Sequence, residues 1–176
     1  TKAIEITQER LSTGLRVNSA IDDSIAFFSA STLIHRASDL QVLKDDIDQA
    51  VSNANAAVTG IEAIDDIVEQ MKGLALSAKS DSSTENRSKS AIQFNDLKEQ
   101  LDNLANDATY SGTNLIKGSP GNLKVTFSQD GSSTLTISGI ASDSSGLSIA
   151  TAASNWTGDT DVDTAINDLD RALTTL

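Results

Sequence analysis

Several places in this sequence hold residue types that do chemistry at close spacing. Asp22 and Asp23 stand side by side, an arrangement in which one carboxyl could act as acid and the other as base. That work needs a His, Lys or Tyr to share the proton, and none stands near in sequence. A helix start explains both carboxylates, because negative charge is favoured at the positive end of the helix dipole. His35 is the only histidine; with no second ligand at metal spacing and no nucleophile, it is expected on a surface or a seam. Asp159, Asp161 and Asp163 follow the first three spacings of a calcium loop. That loop also needs Gly sixth and Glu twelfth, where this chain has Thr164 and Asp170, so a helix N-terminus is the expectation. Neither a phosphate-cradling glycine loop nor HExxH occurs, and Asn86-Arg87-Ser88 and Asn155-Trp156-Thr157 match a glycosylation pattern short enough to arise by chance. No catalytic residue, cofactor or metal is expected, and the chain does not read as an enzyme.

The elements that carry these residues are dominated by Ser24 to Lys79, which reads as one helix with no proline and only Gly60 and Gly73. Ile47, Val51, Ala54, Val58, Ile61, Ile64, Val68, Met71 and Ala75 recur at steps of three and four, averaging about 3.5 residues, the period of a coiled seam. Such a helix rises roughly 80 Å at about 1.5 Å per residue and needs partners along its length. Before it, Thr1 to Thr13 reads as a helix closed by Gly14, followed by a connection in which Asn18 or Ser19 caps the next helix and Asp22 and Asp23 occupy its first turn.

A polar run from Ser77 to Ser83 ends the long helix, and Thr84 to Ala108 repeats the seam with Ala91, Phe94, Leu97, Leu101, Leu104 and Ala108. So short a connection folds the second helix back antiparallel. From Tyr110 the period changes: Leu123, Val125 and Phe127, then Leu135 and Ile137, alternate around the turn Gln129 to Ser132 and read as a β-hairpin. A turn at Asp143 to Gly146 precedes a short strand at Leu147 to Ala150, Asn155 to Thr160 is a loop, and a last helix from Asp161 fills the groove between the first two. The fold class is mainly α: an elongated antiparallel helical bundle with long coiled-coil-like helices and a small β-hairpin. Its division is 1–118 with 160–176 as a helical rod and 119–159 as a small β-hairpin segment.

Composition narrows the function. The 176 residues carry 25 acidic and 13 basic side chains, a net charge of −12, which argues against nucleic acid or an anionic membrane as partner because both are held by Lys/Arg clusters. With no cysteine, redox logic says nothing of compartment. One proline, 3% aromatics and abundant small side chains suit helices packed closely along a thin seam better than a globular core. Helical periods run up to both ends, in Ile4, Leu11 and Leu15 and in Val162, Ile166, Leu169, Leu173 and Leu176, so a longer parent chain is expected.

Glu9-Arg10-Leu11-Ser12-Thr13-Gly14-Leu15-Arg16-Val17-Asn18-Ser19-Ala20-Ile21-Asp22-Asp23 resembles the ERLSSGLRINSAKDDAAG signature of bacterial flagellins. Val58 to Ala78 is similar to the family stretch ending in ELAVQ, Asp107 to Ile116 to its TQFNGVKLL segment, and Asp161 to Leu176 to the start of its C-terminal helix. The resemblance covers roughly Thr1 to Ser119 and the last sixteen residues. It implies a subunit of the extracellular flagellar filament, exported without a cleaved signal peptide, whose partners are other copies of itself, the export apparatus, and capping and junction proteins. It places terminal helices beyond Thr1 and Leu176, so that this stretch alone does not polymerise as a native filament. It also makes the Ser/Thr-rich loops around Ser132 to Ser145 plausible sugar sites.

Two departures stand out. Ile21 replaces the usual Lys, and Phe27-Phe28 replaces smaller residues, marking a divergent subclass. In the turn itself, Arg16, Asn18, Asp22 and Asp23 are the expected subunit-contact residues; Arg16 could equally pair with Asp22 or Asp23 of its own chain. Where many flagellins read QRVRELAVQ and are bound by an innate immune receptor, this chain places Gln70, Lys72 and Leu74, with Gln70 at the receptor-contacting Arg position. Gln lacks the five-donor fork of Arg, so weak or absent recognition is expected. Among rivals, the hook–filament junction protein reads N-x-P-S-D-D-P where this chain has Asn18-Ser19-Ala20-Ile21-Asp22-Asp23-Ser24, and the missing prolines favour flagellin. A surface homologue that binds polysaccharide needs aromatic platforms, and Trp156, Tyr110 and four Phe are few for that.

Overall fold

The computed structural model describes residues 2–176; Thr1, expected in the first helix, lies outside them. Helix α1, Lys2–Thr13, stops where Gly14 takes φ +70° and its N–H donates to the Arg10 carbonyl at 2.9 Å. Lacking Cβ, glycine enters this left-handed cap at little cost.

Helix α2 spans Ser24–Ser80. Its cap is Asp23, whose Oδ1 accepts from Ala26 N at 3.0 Å while its carbonyl accepts from Phe27 N at 2.9 Å. The expected cap at Asn18 or Ser19 is therefore corrected, and so is the placement of Asp22 and Asp23 inside the first turn. A carboxylate caps as well as an amide or hydroxyl, and Asp23 is the one adjacent to the helix.

Helix α3, Thr84–Asp107, is capped by Ser83, which accepts from Asn86 N at 3.4 Å. Just before it, Asp81 accepts from Ser83 N at 2.8 Å and from the Asn86 side-chain amide at 2.9 Å. The Ser83 N–H, then the Asn86 amide, hold the Asp81 carboxyl below its usual range. A depressed folded-state pKa stabilises the fold above the ordinary Asp range, and the stabilisation is lost as pH falls through the folded value. Asp81→Ala is thus expected to speed hydrogen exchange of the Ser83 to Arg87 amides at neutral pH and to have little effect in strong acid, a contrast read by exchange at the two pH values.

The chain divides into two units. One holds residues 1–46 and 126–133, and among its described residues none is buried. The other, residues 47–125 and 134–176, holds the core. There Ile64, Val68, Met71, Phe94, Leu101, Leu169 and Val162 are fully enclosed, contributed by α2, α3 and helix α4, Asp159–Thr175. Lys79 with Asp163 (2.5 Å) and Lys72 with Asp170 (2.6 Å) set α4 antiparallel to α2. The last helix thus begins two residues before the expected Asp161.

The α2 seam follows the expected residues from Ile64 onward but shifts before that. Ala50, Asn53, Ala57 and Gly60 face inward, while Val51 and Val58 are exposed. The cause is steric. A Cβ on Gly60 would lie 2.7 Å from Ile116 Cδ1 and 3.0 Å from Ala108 Cβ, so the segment after α3 seats against bare helix backbone. Gly60→Val is expected to lower the unfolding free energy by about 1–3 kcal/mol through overpacking, measurable by urea denaturation.

That segment is a tight hairpin not anticipated from the sequence. Strands β1, Thr109–Tyr110, and β2, Thr113–Asn114, pair antiparallel through Ser111 and Gly112, both at positive φ, the conformation two-residue hairpin turns require. Strands β3, Asn122–Thr126, and β4, Thr134–Ser138, form the expected second hairpin. The expected strand at Leu147 to Ala150 is absent. Leu147 and Ile149 are buried, but their N–H groups donate to the Asp143 and Ser144 carbonyls in turns, and Ser148 has φ +57°. Alternate burial there comes from a coiled turn, not from pleating. The expected loop at Asn155 contains a tight turn, Ala153–Trp156, with Ser154, Asn155 and Trp156 all at positive φ. Such backbone costs about 1–3 kcal/mol per residue; it is held by Trp156, which is fully buried with its ring 4.9 Å from that of Phe94.

Candidate functional site

The turn from Gly14 to Asp23 gathers the four expected contact residues. Three of them have local partners that shape the loop. Asn18 Oδ1 lies 2.8 Å from the Thr13 hydroxyl, Asp22 accepts from Ser19 N at 3.3 Å, and Asp23 caps α2. Arg16 is different. Its Nη2 stands 3.6 Å from Asp23 Oδ2, and its side chain remains 74% exposed. So loose and solvated a pair contributes at most about 1 kcal/mol, which leaves most of the guanidinium's donors open to a second carboxylate. Near it in sequence, Leu11, Leu15, Ile21 and Ile25 are all exposed. An exposed cation among exposed aliphatic side chains is the make-up of a protein contact surface.

Gln70, Lys72 and Leu74 lie along one turn of α2 with different surroundings. Gln70 donates to the Asp66 carbonyl at 3.1 Å on its own helix. Lys72 is neutralised by Asp170. Leu74 packs partly against the core and, with Gln70, Gln93, Asp96, Leu97 and Gln100, lines an open groove of about 510 Å³ between α2 and α3.

His35 is exposed on α2. Asp159 and Asp163 bind Arg87 (2.7 Å) and Lys79, and among the described residues no three His, Cys, Asp or Glu side chains gather to hold a metal. Trp156 is inside the core, which removes the only tryptophan as a platform for sugar rings. Among the described residues no helix is long and apolar enough to cross a membrane.

Two polar residues that matter went unmarked in the sequence: Asn114, which is buried, and Asp102, which is partly exposed. Asn114 Nδ2 donates to the carbonyls of Ala105 (2.8 Å) and Asn106 (3.0 Å), and its Oδ1 accepts from Ile116 N (2.8 Å) and Lys117 N (2.9 Å). It thus ties the end of α3 to the chain beyond β2. Asp102 accepts from both the amide and the hydroxyl of Ser144, at 2.7 and 2.9 Å, fastening the coiled turn to α3. The Ser-Gly pair at 111–112 was the available signal for the first, as a turn dipeptide; the second joins residues 42 apart and had none.

The sequence model of the bacterial flagellin N-terminal helical region matches residues 1–120. Flagellin FljO of Caulobacter vibrioides is 30% identical over 173 residues, covering 92% of this chain and 63% of that protein. Flagellin B of Helicobacter pylori is 34% identical over 119 residues, 63% of this chain and 22% of its own length. Among solved structures, the crystal structure of Bacillus cereus flagellin superposes with a TM-score of 0.62 at 18% identity, covering 76% of each chain, a likeness of fold. The chain spans somewhat under two thirds of the length of the Caulobacter relatives it matches.

Proposed function

Because the chain belongs to the bacterial flagellin family, we propose that it is part of a structural subunit of the flagellar filament, with no enzymatic role, exported by the flagellar secretion apparatus without a cleaved signal peptide and polymerised outside the cell. The observation that carries this reading is the family match running through both the Arg16 turn and the α2–α3 helices. In this reading residues 1–118 with 160–176 belong to the filament core, and 119–159 are the part free to vary. Its partners are further copies of itself, then the capping and junction proteins at the filament ends. Electron microscopy of the protein after salting out, with whatever flanking sequence its gene encodes, tests it. Long helical filaments support the proposal, and dispersed particles under every salting condition overturn it.

Arg16, Asn18, Asp22 and Asp23 form the proposed contact between copies, with Arg16 as the residue that reaches outward. Since its own-chain pair is loose and exposed, Arg16→Ala should leave the melting curve unchanged. It should raise the critical concentration for assembly about tenfold, the equivalent of roughly 1.4 kcal/mol, as read by sedimentation of polymer. An unchanged critical concentration removes Arg16 from the contact.

The receptor-facing patch is proposed to be recognised weakly. Gln70 offers one amide where a guanidinium would offer a fork, and Lys72 is already paired with Asp170. In a pull-down with the receptor ectodomain, little retention is expected for the native chain and more for Gln70→Arg. Tight retention of the native chain reverses this reading.

A further inference from the structure

The tip of the second hairpin carries Asp130-Gly131, the dipeptide in which a carboxyl meets the least hindered backbone nitrogen. We infer that this is a latent isoaspartate site, held in its normal linkage by the hydrogen bonds of the folded tip. In the modification, the Gly131 nitrogen attacks Asp130 Cγ. An N–Cγ bond forms, a Cγ–O bond breaks, and one water leaves with the carboxyl oxygen and the amide proton. Water then adds across either carbonyl of the succinimide ring and returns Asp130 or its β-linked isomer, with no oxidant or other reactant involved.

Each group the reaction needs is engaged elsewhere. The nucleophile's N–H donates to the Ser128 carbonyl at 3.0 Å, which opposes loss of its proton. The carboxyl is held by its own partners: Asp130 Oδ1 accepts from Ser132 N at 3.1 Å and from the Ser132 hydroxyl at 2.8 Å. Ser128 completes the lock, its Oγ accepting from Ser133 N at 2.8 Å and standing 3.3 Å from Ser132 Oγ. Ring closure expels water most readily from the protonated acid. The Ser128 and Ser132 hydroxyls, then the Ser132 N–H, bring the Asp130 carboxyl down to about 2 from 3.8. At neutral pH the acid form is then scarcer than in an unconstrained Asp. The consequence is local. Gln129 donates to Asp39 on α2, so the added backbone carbon of the β-linkage falls beside a residue that fastens the tip to that helix.

The test is to hold this chain, a peptide of residues 126–136, and the Ser128→Ala/Ser132→Ala double variant at pH 6 and 37 °C, and to quantify isoaspartate at position 130. The readouts are mass spectrometry with electron-transfer fragmentation and labelling by an isoaspartyl methyltransferase. The native chain is expected to isomerise at least about tenfold more slowly than the peptide, and the double variant to approach the peptide's rate while keeping its helical circular dichroism. A native chain as fast as the peptide overturns the inference whatever the variant does. So does a folded double variant as slow as the native chain.

Discussion

Asn114→Ala is expected to lower the unfolding free energy by about 3 kcal/mol or more. The side chain is 4% exposed and serves both ends of a chain reversal, donating to two carbonyls at the close of α3 and accepting from two consecutive amides beyond β2. Alanine leaves all four backbone groups without that partner, and each buried polar group so stranded costs about 1–3 kcal/mol. Relaxation and entering water recover part of the sum, which is why the expectation stays near the lower end. Asn114→Asp discriminates the mechanism. It keeps the acceptor for Ile116 N and Lys117 N but sets a carboxylate oxygen against the Ala105 and Asn106 carbonyls, so it should be no better than alanine at neutral pH and should recover in acid, where a protonated carboxyl donates again. Urea titrations followed at 222 nm read both variants. A loss under about 1 kcal/mol for Asn114→Ala would falsify the assignment of this residue as the latch of the reversal.

Trp156→Ala should cost about 3–5 kcal/mol, the range for emptying a fully buried large aromatic site. Its ring lies edge-on against Phe94, an arrangement that adds roughly 0.5–1.5 kcal/mol to area burial alone. It also holds the three-residue stretch of positive φ that leads into α4. Without it the strained turn has less to keep it in place, and the start of α4 should fray, with faster hydrogen exchange at Asp161 to Ala165. Trp156→Phe should lose much less. It keeps an aromatic ring against Phe94 and removes Trp156 Nε1, a buried donor without a hydrogen-bond partner among the described residues. An alanine variant as stable as the phenylalanine one would show that the ring does not anchor the segment.

These two sites show how far the sequence could be read. The helices were legible because period and punctuation agree: steps of three and four through Ile64, Val68, Met71 and Ala75, glycine after α1, and a serine cap before α3. The Arg16 turn was legible as a signature, and as a candidate surface because an Arg beside capping carboxylates is easily recognised. The α2 seam before Ile64 was misread because a hydrophobicity argument favours Val51 and Val58 over Asn53 and Gly60. Which stripe turns inward was decided by Ile116, which needs a residue without a side chain opposite it. The strand expected at Leu147 failed for a related reason: alternate burial is a property of what surrounds a segment, and a turn clamped by Asp102 produces it as readily as a pleated strand does.

The sequence by itself determined the helices, the β3–β4 hairpin and the lineage: a mainly helical chain with a signature turn shared with a known family. Local rules suffice for that, since helix period, caps and turn dipeptides act within about one or two turns of chain. Tertiary structure alone decided that Trp156 is core, that Lys72 and Lys79 are paired across to α4, and that Asn114 joins α3 to the chain beyond β2. The two Lys pairs each join residues more than eighty positions apart, and Phe94 and Trp156 meet across sixty-two. No local pattern encodes a partner at such a distance, because the pairing exists only once the packed core has brought the two segments together.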